Sequence, residues 1–421
     1  MRVQSLPWWA TRVGSVMNRK ALAGADLLRA VACLMVLGHH LILRIDDGSK
    51  PDWLQGLFDF WMVGAYGVAV FFVLSGYLLS RPFWMALDTG EPMPSLKAFA
   101  LRRAARILPG FWIALTVTLV LGIEFLDVEP NALLLLRYLA GFFLLSDWHY
   151  ATLFPVENNG PLWSIGFEVT SYVLLPFCLT LLFWLRPQKA WVARGVWVGV
   201  ICLVLVLHLA IVLYLPIDDV ERGFQFGLVG GGKAWMPRYN PIGFFAIFAI
   251  GALTAAVQVR WAKYRSGWFD ALVLVGIAVA GWKMRQNWDG PTDGYDFLGI
   301  PYGFPLFPLG VGLALAAAPS SVVVGRLMDN RAARFVAKIS FGIYVWHFLV
   351  NEFLIQKWLA LAPHEQIADM QSWLEVAVAT IAIAFTLAYL SFRFIESPVI
   401  EWARVLEKGR QTAPALADAA S

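Results

Sequence analysis

Charge is scarce in this chain: 15% of its 421 residues are Asp, Glu, Lys or Arg, against 59% hydrophobic residues. That balance, with a mean hydropathy of +0.64, excludes a solvated globule, in which about a quarter of the residues are charged. Cysteine is scarce too. Cys33, Cys178 and Cys202 lie inside apolar runs without metal-ligand spacing, so no disulfide framework or metal site is expected and the three read as small packing residues. The formal net charge of +4 is spread over short segments and forms no basic face, so no nucleic-acid partner is indicated. No internal repeat is visible, and the first twenty residues lack an apolar core of signal-peptide length.

Long apolar runs are what the chain has in abundance. A membrane-crossing helix needs about 20 apolar residues, and ten runs reach or approach that length: 27–45, 60–80, 107–126, 163–185, 192–215, 241–258, 268–283, 300–318, 335–357 and 373–395. The expected fold is therefore all-α: a polytopic integral membrane protein of about ten transmembrane helices with a central polar cavity. Residues 132–145 are apolar but short and read as re-entrant or interfacial. The domain boundaries follow, with a basic tail at 1–21, one transmembrane domain over 22–400, and a largely disordered polar tail at 401–421.

Loop charge orients the set. Basic residues gather in alternate segments: Arg12, Arg19 and Lys20; Arg102, Arg103 and Arg106; Arg186 and Lys189; Arg260, Lys263 and Arg265; Arg326, Arg331 and Arg334. The intervening loops are acidic or mixed. By the positive-inside rule both termini face the cytoplasm.

Three helices carry polar stripes that lipid alone would not tolerate. In the first, Arg29 and His40 are eleven residues apart, which returns them to nearly the same face about 16 Å apart. A central arginine costs about 2.5–3.5 kcal/mol on insertion scales, so such groups face protein or a water-filled cavity, or snorkel to lipid phosphates. His39 points about 100° away from that stripe. The fourth run carries Ser164, Glu168 and Ser171, and the ninth carries Ser340, Tyr344, His347 and Asn351. Each row either lines a cavity or satisfies carbonyls of neighbouring helices.

These segments carry a family resemblance. "RAVACLMVLGHH", "FFVLSGYLLSRP", "RRAARILPGFW", "NNGPLWSIGFEV", "SFGIYVWHF" and "RFIESP" occur in the order and spacing of the membrane acyltransferase-3 family, which includes bacterial surface-polysaccharide O-acetyltransferases. The sequence resembles the stand-alone form, without a fused esterase-like domain, over about residues 22–400. Position by position, the family motifs fall on Arg29 and His40; on Ser75 and Gly76; on Arg102, Arg103 and Arg106; on Trp163, Ser164 and Glu168; and on Tyr344 and His347. Gly110 after Pro109, and Gly38-His39 before His40, are departures.

The resemblance implies transfer of an acyl group, expected to be acetyl, from cytoplasmic acyl-CoA to a hydroxyl of a cell-surface or exported glycan, by an enzyme in the inner (plasma) membrane. A sugar hydroxyl is a poor nucleophile at neutral pH and needs a base, which assigns that task to His40, with Glu168 orienting it or taking the proton onward. Arg29, Arg102, Arg103 and Arg106 would bind the donor, guanidinium being suited to phosphate. Ser75, Trp163, Ser164, Tyr344 and His347 would line the cavity, with Ser75 either an acyl carrier or a close-packing residue. Expected partners are acyl-CoA, a glycan or lipid-linked glycan, and membrane lipids; no bound cofactor is expected. The arginine cluster is equally a topogenic signal, and a succinyl donor, a lipid or small-molecule acceptor, or a secondary transporter remain open on the residues alone. The terminal "RFIESP" reads as an Arg393–Glu396 pair before Pro398 breaks the helix.

Overall fold

A computed structural model describes residues 23–185, 189–286, 297–363 and 365–417, with side chains up to residue 407. The tail expected at 1–21, Arg186 and most of the acidic loop before residue 297 lie outside the described residues. Among the described residues, nine helices are long and apolar enough to cross a membrane. In chain order the helices are α1 (Ala25–Ile42), α2 (Gly67–Thr89), α3 (Leu96–Phe125), α4 (Trp163–Leu185), α5 (Ala190–Tyr214), α6 (Pro241–Trp261), α7 (Gly267–Gln286), α8 (Leu306–Ala317), α9 (Arg331–Trp358) and α10 (Met370–Ser391), of which α8 is the shorter apolar helix outside those nine.

Three expectations shift. The run at 300–318 starts as irregular chain and becomes helix only at Leu306, because Pro301 and Pro305 each lack the backbone N–H that a helical turn needs. The second crossing begins at Gly67 rather than near residue 60, preceded by a helix at Gln55–Met62 and a 3-10 turn at Val63–Tyr66. The third starts eleven residues earlier than expected, at Leu96, so Arg102, Arg103 and Arg106 belong to the helix and not to a loop. The 132–145 segment holds a helix at Ala132–Phe142, 11 residues long, or about 16 Å, too short to span hydrocarbon.

At the C-terminus, Pro398 does not break the helix. A π turn at Phe392–Glu396 leads into a helix at Ser397–Ala417, so the region expected to be disordered is helical through residue 417. Pro398 stands at the second position of that new segment, where its missing N–H costs little.

Helix α6 forms the centre of the bundle, with its faces buried all round from Phe244 to Ala256, as expected of a helix that is apolar on every side. It packs on α2 at backbone distance, because a Cβ on Gly76 would overlap the Phe248 carbonyl and a Cβ on Gly251 the Val73 carbonyl. Small residues permit such approach between membrane helices. By contrast, α5 buries only Ala193, Trp197, Val204 and His208 and turns Leu203, Val206 and Leu213 outward.

Loops gather at two ends. At one, Ser266 N–H donates to Ser320 O and Ser320 Oγ to Trp261 O. At the other, Asp46 N–H donates to Ile367 O and Ile367 N–H to Arg44 O. These are called here the Arg29 end and the His40 end, after the residues of α1 nearest each.

Candidate active site

Helices α1, α2, α3, α4 and α9 enclose a cavity of about 680 Å³, part of it open to solvent. Its wall brings together Arg29 from α1, Ser75 from α2, Arg103 and Arg106 from α3, Ser164, Glu168 and Tyr172 from α4, and Ser340 and Tyr344 from α9. Five stretches up to 315 residues apart in sequence thus converge.

The arginines divide by helix geometry. On α3, Arg102 and Arg103 point about 100° apart, with Arg106 between them. Arg103 faces the cavity, whereas Arg102 turns away and pairs with Glu407 of the C-terminal helix. Arg102 is therefore not part of the cavity wall. Arg106 lines the cavity and lies 3.4 Å from the buried Glu396 carboxylate, presented by the π turn. Glu396 also accepts from Ser391 Oγ at 3.3 Å. The expected Arg393–Glu396 pair does not form, and the Arg393 guanidinium sits 5.9 Å over the Phe394 ring. Neither Arg29 nor Arg103 has an ion-pair partner among the described residues.

Midway along the cavity, Glu168 Oε1 accepts from Ser75 Oγ at 2.9 Å and from the Tyr172 hydroxyl. Tyr172, not among the residues expected from the sequence, stands four residues after Glu168 on the same face of α4, and that spacing is its signal. Further along, the Tyr344 hydroxyl donates to Pro161 O at 2.8 Å and sits 2.5 Å from Ser164 Oγ. Ser171 bonds only its own helix, at Phe167 O. Trp163 is outside the cavity wall, packed edge-on against Phe167, Trp235, Tyr239 and Phe244. A large indole beside four rings is held by aromatic packing.

His347 likewise stands beyond the cavity wall, with its ring centroid 6.0 Å from that of Tyr344. Its Nε2 lies 3.0 Å from His40 Nδ1. The bonding assigns the tautomers. His347 Nδ1 faces two carbonyls, Tyr344 O at 2.8 Å and Ile343 O at 3.1 Å, so Nδ1 carries the proton and Nε2 the lone pair. His40 Nδ1 also faces the Val36 carbonyl at 2.9 Å, and donates to it and to His347 Nε2. The lone pair of His40 is then on Nε2, which has no hydrogen bond among the described residues.

This overturns one expectation: Glu168 does not orient His40. The helices put Glu168 on Ser75 and Tyr172, and the group that orients His40 is His347. His39 has a separate task, with Nδ1 2.6 Å from Met62 O, tying α1 to the segment before α2.

Beyond the histidine pair the polar row continues. Arg44, four residues past His40, faces Glu352, five past His347, at 3.3 Å. Gln356 Nε2 donates to Asn158 Oδ1 at 2.9 Å and lies 3.4 Å from Glu352 Oε2. A burial of two charges is tolerated only when they are paired. Arg44 and Glu352 carry a signal in the sequence too, each standing about one turn beyond a motif histidine.

The acyltransferase domain family matches residues 22–393. The chain is 26% identical over 419 residues to the peptidoglycan O-acetyltransferase OatA of Listeria monocytogenes serovar 1/2a, a match covering 91% of this chain and 56% of that protein. It is 25% identical over 404 residues to a putative O-acetyltransferase of Staphylococcus aureus strain COL, covering 90% and 57%. It is 24% identical over 395 residues to the putative peptidoglycan O-acetyltransferase YrhL of Bacillus subtilis strain 168, covering 91% and 55%. The chain thus spans a little over half the length of these curated relatives. No solved structure matches. With five helices converging on one cavity and the family's match running through all of them, this chain belongs to the acyltransferase-3 family of membrane acyltransferases.

Proposed function

We propose that the chain is an integral membrane O-acetyltransferase that takes an acetyl group from cytoplasmic acyl-CoA and passes it to a glycan hydroxyl on the opposite side of the inner membrane. The observation that carries this reading is the succession of polar side chains through an otherwise apolar bundle: Arg103, Arg106, Arg29, Glu168 and Tyr344 on the cavity wall, then the His347–His40 pair beyond it. Positive-inside bias puts the Arg29 end, with both termini, in the cytoplasm, where acyl-CoA is found. The names of the relatives, peptidoglycan O-acetyltransferases among them, supply the acetyl group and the glycan acceptor.

In this reading Arg29 and Arg103, which form no ion pair among the described residues, hold the CoA phosphates, with Arg106 shared between donor and Glu396. The planar guanidinium fork suits phosphate oxygens. Arg102, engaged with Glu407, contributes to packing instead. Ser75, Glu168 and Tyr172 flank the path of the pantetheine arm. His40 Nε2 removes the proton of the acceptor hydroxyl as its oxygen attacks the thioester carbonyl, the C–S bond breaks, and the departing CoA sulfur takes the proton from His40. His347 fixes the base's tautomer and ring, as a third group orients the base in other acyl-transfer sites.

The test is release of free CoA thiol by the purified full chain in liposomes, given acetyl-CoA with and without glycan acceptors. Acceptor-dependent release is expected. Release that no glycan stimulates, with no acetylated glycan by mass spectrometry, overturns the reading.

A further inference from the structure

The His40 end of the bundle carries a second opening, a groove of about 930 Å³, part of it open to solvent, that the catalytic row does not use. Its walls are the turn after α3, residues Glu157 and Asn158 before α4, and the segment 226–229. Asp127 and Glu129 stand in one wall, with the Asn131 side chain beside them capping the 132–142 helix. Phe226, 52% exposed, offers an aromatic face.

Two observations connect the groove to a ligand and to the active site. Arg137 lines it while only 4% exposed. Its Nε donates to Phe154 O at 2.7 Å and its Nη1 pairs with Glu157, but Nη2 has no partner. A buried guanidinium nitrogen without a partner is costly in a finished protein interior. The groove is also joined to the histidines: Asn158 in its wall accepts from Gln356, which adjoins Glu352 and so Arg44, one turn beyond His40.

We propose that this groove binds the acceptor, and that the acceptor segment it takes is a hydroxyl-rich sugar chain that is neutral or carries a free amine. The proposal rests on the acyltransferase reading above. Carboxylates and side-chain amides are the acceptors and donors that match paired sugar hydroxyls, and an exposed aromatic face covers the apolar side of a sugar ring. The charge balance sets the class. Glu157 is neutralised by Arg137 and Asp127 faces Lys357 at 3.8 Å, so among the described residues Glu129 is the wall carboxylate without an ion-pair partner. A uronic-acid chain would meet Glu129 as a like charge without a compensating cation, which disfavours it.

The test measures binding apart from transfer. Calorimetry on the full chain in nanodiscs would compare a neutral N-acetylglucosamine tetrasaccharide, a glucosamine tetrasaccharide and a uronic-acid tetrasaccharide of equal length. Neutral and amino chains are expected to bind at least tenfold more tightly than the acidic one. Phe226→Ala should weaken the neutral chain about tenfold, and Asp127→Asn with Glu129→Gln should narrow the gap between neutral and acidic chains; these side chains are exposed, and unchanged thermal unfolding checks the fold. Equal or tighter binding of the acidic chain, no binding of any chain, or no effect of these variants overturns the proposal. Acetyl-CoA affinity, measured in parallel, separates the two readings: a wild type that binds glycan but not acetyl-CoA defeats the transferase reading, whereas one that binds acetyl-CoA but no glycan defeats the groove.

Discussion

The two ends of the bundle are built differently. At the Arg29 end the chain turns in short segments, and where a left-handed backbone is needed a glycine supplies it, as at Gly24 and Gly90. Its functional groups ride on regular helix: Arg29 on α1, Arg103 and Arg106 on α3. At the His40 end, all seven non-glycine residues with positive φ among the described residues occur in the connecting segments: Asp127, Leu144, Asn158, Glu221, Leu298, Tyr302 and Ala360. Such conformations persist only where surrounding structure fixes them. The cavity arginines of the Arg29 end are thus placed by helix periodicity, whereas the connecting segments of the His40 end are shaped by irregular chain. Predictions that separate the two ends test this division.

The largest separation is expected at His40. His40→Ala should lower acetyl transfer at least about a hundredfold, since a general base contributes about 10²–10⁴, while acetyl-CoA binding stays unchanged. His347→Ala should also impair transfer, with a shifted pH profile, because it removes the acceptor that fixes His40's Nδ1–H; His39→Ala should change transfer much less. Single-turnover transfer at matched expression and thermal stability reads all three. Near wild-type turnover in His40→Ala would remove the base from this end altogether.

The opposite signature belongs to the arginines. Arg103→Ala and Arg29→Ala should raise the acetyl-CoA requirement roughly tenfold or more, the scale of a charge-assisted bond, with acceptor KM unchanged. Arg102→Ala should leave both nearly unaltered, because its partner is Glu407 and not the cavity. Equal losses at Arg102 and Arg103 would mean that the cluster acts as a topogenic unit. The division also has a geographical test: a reporter after Gln225 is expected outside the cell and one at Lys263 in the cytoplasm, and both on one side would undo the assignment of α5 and α6.

The same division explains what could be read in the sequence. Arg29 and His40, Ser164 and Glu168, and Tyr344 and His347 were legible because a helix of 3.6 residues per turn converts spacing into a shared face. Which faces meet was not legible. The spacing within α9 did not reveal that His347 would reach His40 rather than the cavity, or that Glu168 would bond Ser75 of α2. Helix starts shifted where a 3-10 turn or a proline pair replaced regular backbone, at residues 63–66 and 301–305. The groove left no periodic trace at all, since its walls are turns, and turn residues such as Asp127 and Asn158 are recognisable as left-handed only once neighbouring segments hold them.

The smallest expected effect concerns how the loops of the His40 end are held down. The turn Ser146–Trp148 docks on α4 at Gly166, where an added Cβ would press against Ser146 Oγ and the Asp147 side chain. Asp147 is fully buried there. Thr170 Oγ1 donates to its Oδ2 at 2.7 Å, but Oδ1 has no partner, and burial pushes the carboxyl up to about 6, against the Thr170 bond that lowers it. An acid whose folded pKa lies above its unfolded value, about 3.9, costs nothing when protonated in both states. As pH rises past about 4 the unfolded chain ionises first, so stability falls until about pH 6 and the penalty is constant above it. At neutral pH that penalty is at most about 3 kcal/mol. Asp147→Asn keeps an oxygen for Thr170 and removes the titration. The variant is therefore expected to melt higher than wild type at pH 7, to converge with it near pH 4, and to change transfer less than the groove or histidine variants do. Tryptophan-fluorescence melting of both proteins across pH 4–7 reads this directly, and parallel curves over that range would show that Asp147 is not what makes this loop's docking depend on pH.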